Sequence, residues 1–179
     1  MGNELEIEKT YLAKFLPSDL TLCKSKEIMD LYVPKSSVHA KLRIRKSGDS
    51  YTITKKSLVN ESDASTQIEQ NIEITKEEFE AFSQIPTNTI RKIRYYYPYK
   101  NKTAEIDVFM DRFEGLVMVD IEFDNREELE ECPMPDFCLL EVTNEDCFAG
   151  GVLSHSDFST IQETLEKFNY KKLFLKENL

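Results

Sequence analysis

Histidine is scarce in this chain. There are two, His39 and His155, far apart and without a nucleophilic Ser or Cys motif beside either, which argues against triad-type catalysis. Four cysteines, Cys23, Cys132, Cys138 and Cys147, make no C-x-x-C pair and have no histidine cluster with them. A zinc site is therefore not expected, and reduced thiols in a cytoplasmic protein are. No apolar run approaches the roughly 20 residues that span a bilayer. The acidic start MGNELEIEK lacks the apolar stretch of a signal peptide, so no membrane association is expected. Gly2 invites myristoylation, but Glu6 stands where that motif prefers Ser or Thr. Positive charge is also short. Lys and Arg number 23 against 33 Asp and Glu, a net charge of −10, the opposite of the basic footprint of a general nucleic-acid binder.

What is present is ionic and alternating. The 179 residues, 31% of them charged, suit a single domain over 1–179 with a sizeable core, and neither a repeat nor an interdomain linker interrupts them. Strands are expected at 4–13, 27–33, 41–46, 51–56, 66–74, 90–99, 103–110, 116–123 and 138–143, from period-two patterns bounded by turn residues. SGDS between KLRIRK and YTITKK marks a hairpin. Two helices are expected. TKEEFEAFSQI (75–85) opens on a capping box, Thr75 with Glu78, and SDFSTIQETLEKF (156–168) carries Phe158, Ile161, Leu165 and Phe168 on one stripe. LVNESDAST (58–66) is polar and is expected to be a mobile loop. Nine strands and two helices, mostly joined by hairpins, make an antiparallel α+β domain.

Almost every strand has one ionic and one apolar face. Glu4, Glu6, Glu8 and Thr10 oppose Leu5, Ile7 and Tyr11. Lys41, Arg43 and Arg45 oppose Leu42 and Ile44, and Glu105 and Asp107 oppose Ile106 and Val108. Two arrangements fit. An open sheet would turn its charges to water, and a closed sheet would turn them inward with the helices covering an apolar outside. The sorting of the charge favours enclosure. Acids gather as Glu4/Glu6/Glu8, Glu105/Asp107 and Asp120/Glu122, and bases as Lys41/Arg43/Arg45, Lys56 and Lys92/Arg94, whereas a solubilising surface mixes signs. Hard carboxylate oxygens suit Mg²⁺ or Mn²⁺, and Arg and Lys suit phosphate oxygens. A polyphosphate between the two groups would relieve the repulsion among Glu4, Glu6 and Glu8.

These segments, in this order, resemble the CYTH superfamily, the triphosphate tunnel metalloenzymes named for class IV adenylate cyclase and thiamine triphosphatase. EIEKT (6–10) is similar to the family's E-x-E-x-K strand, with Thr10 in place of the lysine. LRIRK resembles its paired-arginine strand, TITKK the strand whose lysine enters the tunnel, IRKIRYYY its K-x-R-[Y/F] strand, and AEIDVF…GLVMVDIEF its E-I-D-x-F and E-x-E run. IEQNIEI and EVTNEDCF are similar to two further family segments. The resemblance implies an eight-stranded antiparallel β-barrel, open at both ends, with a charged interior and helices outside. It implies metal-dependent hydrolysis of a triphosphate: inorganic triphosphate, thiamine triphosphate, a nucleoside triphosphate or an RNA 5′-triphosphate end. The alternatives are class IV-type cyclisation of ATP and non-catalytic polyphosphate binding. Glu6, Glu8, Lys56 and Arg43 are the expected catalytic residues. Lys41, Arg43, Arg45, Lys56, Lys92 and Arg94 are the expected phosphate ligands. Glu6, Glu8, Asp120 and Glu122, backed by Glu105, Asp107, Glu69 and Glu73, are the expected ligands for Mg²⁺ or Mn²⁺. Apart from an RNA end, the partner is a small triphosphate-containing molecule, and the protein acts as a monomer or homodimer.

Overall fold

The computed structural model describes residues 4–175, so Gly2 lies outside the described residues. The strands are β1 (Glu4–Ala13), β2 (Ser25–Val33), β3 (Leu42–Ser47), β4 (Ser50–Asn60), β5 (Asp63–Glu73), β6 (Asn88–Tyr99), β7 (Lys102–Phe109), β8 (Val117–Glu122) and β9 (Cys138–Glu141). The helices are α1 (Lys76–Phe82), α2 (Arg126–Glu131), α3 (Gly150–Leu153) and α4 (Phe158–Lys167). The sheet runs β5-β4-β3-β2-β6-β7-β8-β1-β9, and β5 pairs back onto β1. Eight strands thus close into an antiparallel barrel, and β1 is the strand that makes closure possible. Its first half (Glu4–Ile7) pairs with β5 and its last residues (Tyr11–Ala13) with β9 along the same edge, while β8 takes the other edge.

The apolar faces turn outward and are covered on two sides. Ile7, Tyr11, Ala104, Ile106, Val119 and Ile121 lie under Phe123, Leu129 of α2, Phe137 and Cys138. Each such side chain, fully buried, contributes about 1.5–3 kcal/mol. On the other side Leu31 and Ile44 lie under Phe79 of α1, whose ring sits 5.3 Å from that of Tyr51. The capping box of α1 forms as expected: Thr75 Oγ1 accepts from Glu78 N, and Glu78 Oε2 accepts from Thr75 N. The aromatic run of β6 joins this outer packing. Tyr95 is buried, and Tyr97 meets Phe137 edge-on at 5.5 Å.

A third cluster lies across one end of the barrel. There the inward side of the strands changes from ionic to apolar, at Leu12, Tyr32, Ile90, Phe109 and Met118. Val142, Phe148 and Leu153, backed by Ile161 and Leu165 of α4, pack onto it. The contact is close. A Cβ added to Gly150 would sit 2.1 Å from Tyr32 Oη, and one on Gly151 would sit 2.4 Å from the Ala40 carbonyl oxygen, so only glycine fits at either place. The tail is fastened behind this plug by Tyr170, whose hydroxyl accepts from Val117 N at 2.8 Å and donates to Gly115 O at 2.9 Å. This apolar packing narrows one end of the barrel, where exposed Lys41 and Glu145 still line the cavity.

The expected loop at 58–66 is instead the tip of a long β4–β5 hairpin. Leu58 pairs with Gln67 and Asn60 with Asp63. Its polar residues serve the turn: Asn60 Oδ1 accepts from Ser62 N, and Asp63 Oδ1 from Ser65 N. Among the described residues no helix is long and apolar enough to cross a membrane.

Candidate functional site

The inward faces enclose a cavity of about 420 Å³. Its walls carry Glu6 and Glu8 from β1, Asp30 from β2, Arg43 and Arg45 from β3, Lys56 from β4 and Glu69 from β5. Lys92 and Arg94 from β6, Glu105 and Asp107 from β7, and Asp120 and Glu122 from β8 complete them. Lys41, just before β3, lies on the lining but is solvent-exposed. Period-two geometry delivers all of these to one space, because the registers place polar residues beside polar residues: Glu8 opposite Glu122, Thr10 opposite Asp120, Arg94 opposite Asp107 and Asp30 opposite Arg45.

Two buried aspartates organise the cations. Asp107 accepts from Arg94 Nε on one oxygen (2.7 Å) and from Arg94 Nη2 on the other (2.6 Å), where Lys92 also donates. Burial works against the Asp107 charge, but Arg94 and Lys92 outweigh it and hold its pKa at about 2. Asp30 receives both Arg45 Nε (2.6 Å) and Arg45 Nη2 (2.8 Å). Burial again opposes ionisation, and Arg45, Arg43 and Lys92 overcome it, holding the Asp30 carboxyl well below the usual range. Lys92 is less favoured: burial pulls its ammonium pKa down despite Asp107.

The remaining cations meet the carboxylate-rich wall. Lys56 Nζ bonds Glu6 and lies 3.3 Å from Glu8 Oε1 and 3.2 Å from Glu69 Oε2. Arg43 is less well served. Among the described residues its Nε has no hydrogen-bond partner, with Asp30 Oδ1 at 3.9 Å, and its Nη2 lies 4.0 Å from Glu69 Oε2. Arg94 also bonds Glu105 and approaches Asp120 Oδ2 at 3.3 Å. On this wall the acids crowd one another. Burial and the Glu8 charge push Glu6 up to about 7. Burial, with Glu8 and Asp107, raises Asp120, and burial, with Glu105 and Glu8, raises Glu122.

Several expected roles change with this geometry. Asp107 engages both oxygens with Lys92 and Arg94, three hydrogen bonds in all, and so anchors cations. Glu73 is exposed beyond the cavity lining and belongs to neither wall. Asp30 was not expected at the site. Both faces of β2 are buried, so EIMDLYV shows no alternation to mark it. The one available signal was an acid in an otherwise apolar run. Thr10, at the position of the family lysine, donates its hydroxyl to Asp120 Oδ1 at 2.8 Å.

The donor chemistry suits a hard divalent cation. Glu6, Glu8, Asp120 and Glu122 offer oxygens only, and burial together with neighbouring carboxylates raises the pKa values of Glu6, Asp120 and Glu122. Among the described residues no group of three such side chains is already arranged to hold an ion. Glu6, Glu8 and Glu69 are gathered on the Lys56 ammonium instead.

No family model and no curated protein matches the sequence. Solved structures do. The inorganic triphosphatase NE1496 superimposes with a TM-score of 0.61 at 23% identity, over 84% of this chain and 95% of that one. The chain has that protein's fold, a closed eight-stranded antiparallel barrel. A Bacillus halodurans protein provisionally named an adenylate cyclase is similar in fold as well, with a TM-score of 0.53 and 18% identity over 99% of this chain and 97% of that one.

Proposed function

We propose that this chain hydrolyses a phosphoanhydride bond of a triphosphate, inorganic or carried on a small organic group such as thiamine or a nucleoside, with Mg²⁺ or Mn²⁺. One observation carries the reading: a single enclosed cavity holds acids short of counter-charge next to Arg43 and Lys56. A solvated sheet face would neither raise carboxylate pKa values nor leave a guanidinium nitrogen buried and unbonded.

Arg43 has hydrogen-bonding capacity to spare and would take phosphate oxygens, with Lys56 releasing one of its carboxylates to do the same. Lys41 at the rim would guide the anion in. Glu6, Glu8 and Glu122, with Asp120, would hold a divalent ion, which when bound neutralises phosphate charge and makes a coordinated water more acidic. The walls fix the chain of phosphates in line and exclude bulk water, which is most of what phosphoryl transfer requires of a protein.

The test is incubation of the pure protein with Mg²⁺ or Mn²⁺ and, separately, tripolyphosphate, thiamine triphosphate and ATP. Phosphate release supports hydrolysis. Cyclic AMP with pyrophosphate identifies a cyclase. A rise in Tm with tripolyphosphate but no turnover identifies a binder. Glu8→Gln and Arg43→Ala should each abolish turnover while leaving the far-ultraviolet circular dichroism unchanged.

A further inference from the structure

The two arginines of β3 are one turn of the alternation apart and face the same cavity, yet the structure treats them differently. Arg45 is locked: Asp30, 1% exposed, takes its Nε and Nη2 on separate oxygens at 2.6 and 2.8 Å. That fork-to-fork geometry is the one a guanidinium would otherwise offer a phosphate. Arg43 is left with a buried Nε that bonds nothing among the described residues. Asp30 lies on a neighbouring strand in fixed register with Arg45, so the pairing is built into the barrel.

We propose that Asp30 is a positioning residue that withholds Arg45 from the bound anion, making Arg43 the guanidinium that receives it. This rests on the reading of the cavity as a triphosphate site. A permanent carboxylate among Arg43, Arg45 and Lys92 also weakens the attraction of a bare polyanion, so that tight binding requires the anion to arrive with a divalent cation. The residue thereby ties occupancy of the cavity to the metal-loaded form of the substrate and leaves product an easier exit.

A merely structural aspartate and a withholding one predict opposite shifts. The experiment is calorimetric titration of tripolyphosphate into the wild type and Asp30→Asn, in EDTA and in Mg²⁺, with KM and kcat measured alongside. Freed from Asp30, Arg45 gains a phosphate contact, so metal-free tripolyphosphate should bind Asp30→Asn roughly tenfold or more tightly than the wild type, the scale of one charge-assisted hydrogen bond. KM should fall with it while kcat does not rise. Equal or weaker metal-free affinity in the folded variant overturns the assignment.

The double variant Asp30→Leu/Arg45→Met removes the buried pair together, an exchange that cores tolerate, and covers the case in which Asp30→Asn does not fold. Its tripolyphosphate affinity in Mg²⁺ should stay within about threefold of the wild type. A loss beyond about tenfold would show that Arg45 is itself a phosphate ligand and overturn the proposal. Failure of the wild type to bind tripolyphosphate, with or without Mg²⁺, would bring down the functional reading and this inference together. A change confined to the variants concerns Asp30 alone.

Discussion

Thr10 and Asp120 are cross-strand partners on β1 and β8, and the threonine hydroxyl donates to the carboxylate at 2.8 Å inside the barrel. A neutral donor thus occupies a place where the surrounding acids call for a cation. Thr10→Lys should put an ammonium beside Asp120 and Glu8, lower the Asp120 pKa, and reduce KM for tripolyphosphate roughly fivefold, corresponding to about 1 kcal/mol. Steady-state kinetics at saturating Mg²⁺ measure this. An unchanged KM would show that this end of the wall does not see the substrate.

The crowding around Glu6 makes the metal-free protein sensitive to mild alkali. Its folded pKa, pushed up to about 7 by burial and by Glu8, exceeds the ordinary value of 4.5. The folded state therefore holds its proton more tightly than the unfolded state, and stability present below about 4.5 is lost as pH rises toward about 7. In EDTA, Tm should fall between pH 5 and pH 8, and Mg²⁺ should raise Tm more at pH 8 than at pH 5. Scanning fluorimetry with and without the ion checks both. The same proton competes with the ion, so Mg²⁺ affinity should rise with pH through about 7.

Asp107 titrates the other way. Burial opposes its charge, yet Arg94 and Lys92 set its pKa at about 2, so the stability it contributes is present above its ordinary value of 3.8 and is lost as pH falls through about 2. Asp107→Asn strands two buried cations and should cost about 3–5 kcal/mol at neutral pH, measured by urea unfolding.

Gly150 tests the plug. Its missing Cβ would meet Tyr32 Oη at 2.1 Å, so Gly150→Ala should destabilise the fold by about 1–3 kcal/mol. Gly150→Ala with Tyr32→Phe removes the nearest atom and leaves the ring carbon at 3.0 Å, so it should recover part of the loss. Thermal melts of the two variants decide it.

The barrel strands were legible because period-two alternation survives wherever one face meets charge and the other meets helices. KLRIRK and EIDVF show it without ambiguity. It placed β2 at 27–33 but failed to tell its faces apart, because Ile28, Asp30, Leu31 and Tyr32 are all buried and leave no contrast. It failed again at the β4–β5 tip, where Asn60, Ser62 and Asp63 are turn formers whose side chains bond locally and hide the strand pairing. Which cations are paired and which are free was not legible at all. Arg43 and Arg45 look equivalent in LRIRK, and only the register of β2 against β3 separates them. The narrowed end was equally hidden, because Gly150 and Gly151 look like ordinary loop residues until Tyr32 and Ala40 are seen against them.

That packing has a directional consequence. Val142, Phe148 and Leu153 narrow one end of the cavity, while Lys41 and Glu145, exposed on its lining, keep it in touch with solvent there. On the proposed function, a phosphate chain would find charge along most of the cavity and apolar walls toward that end, at Ile90, Phe109 and Met118.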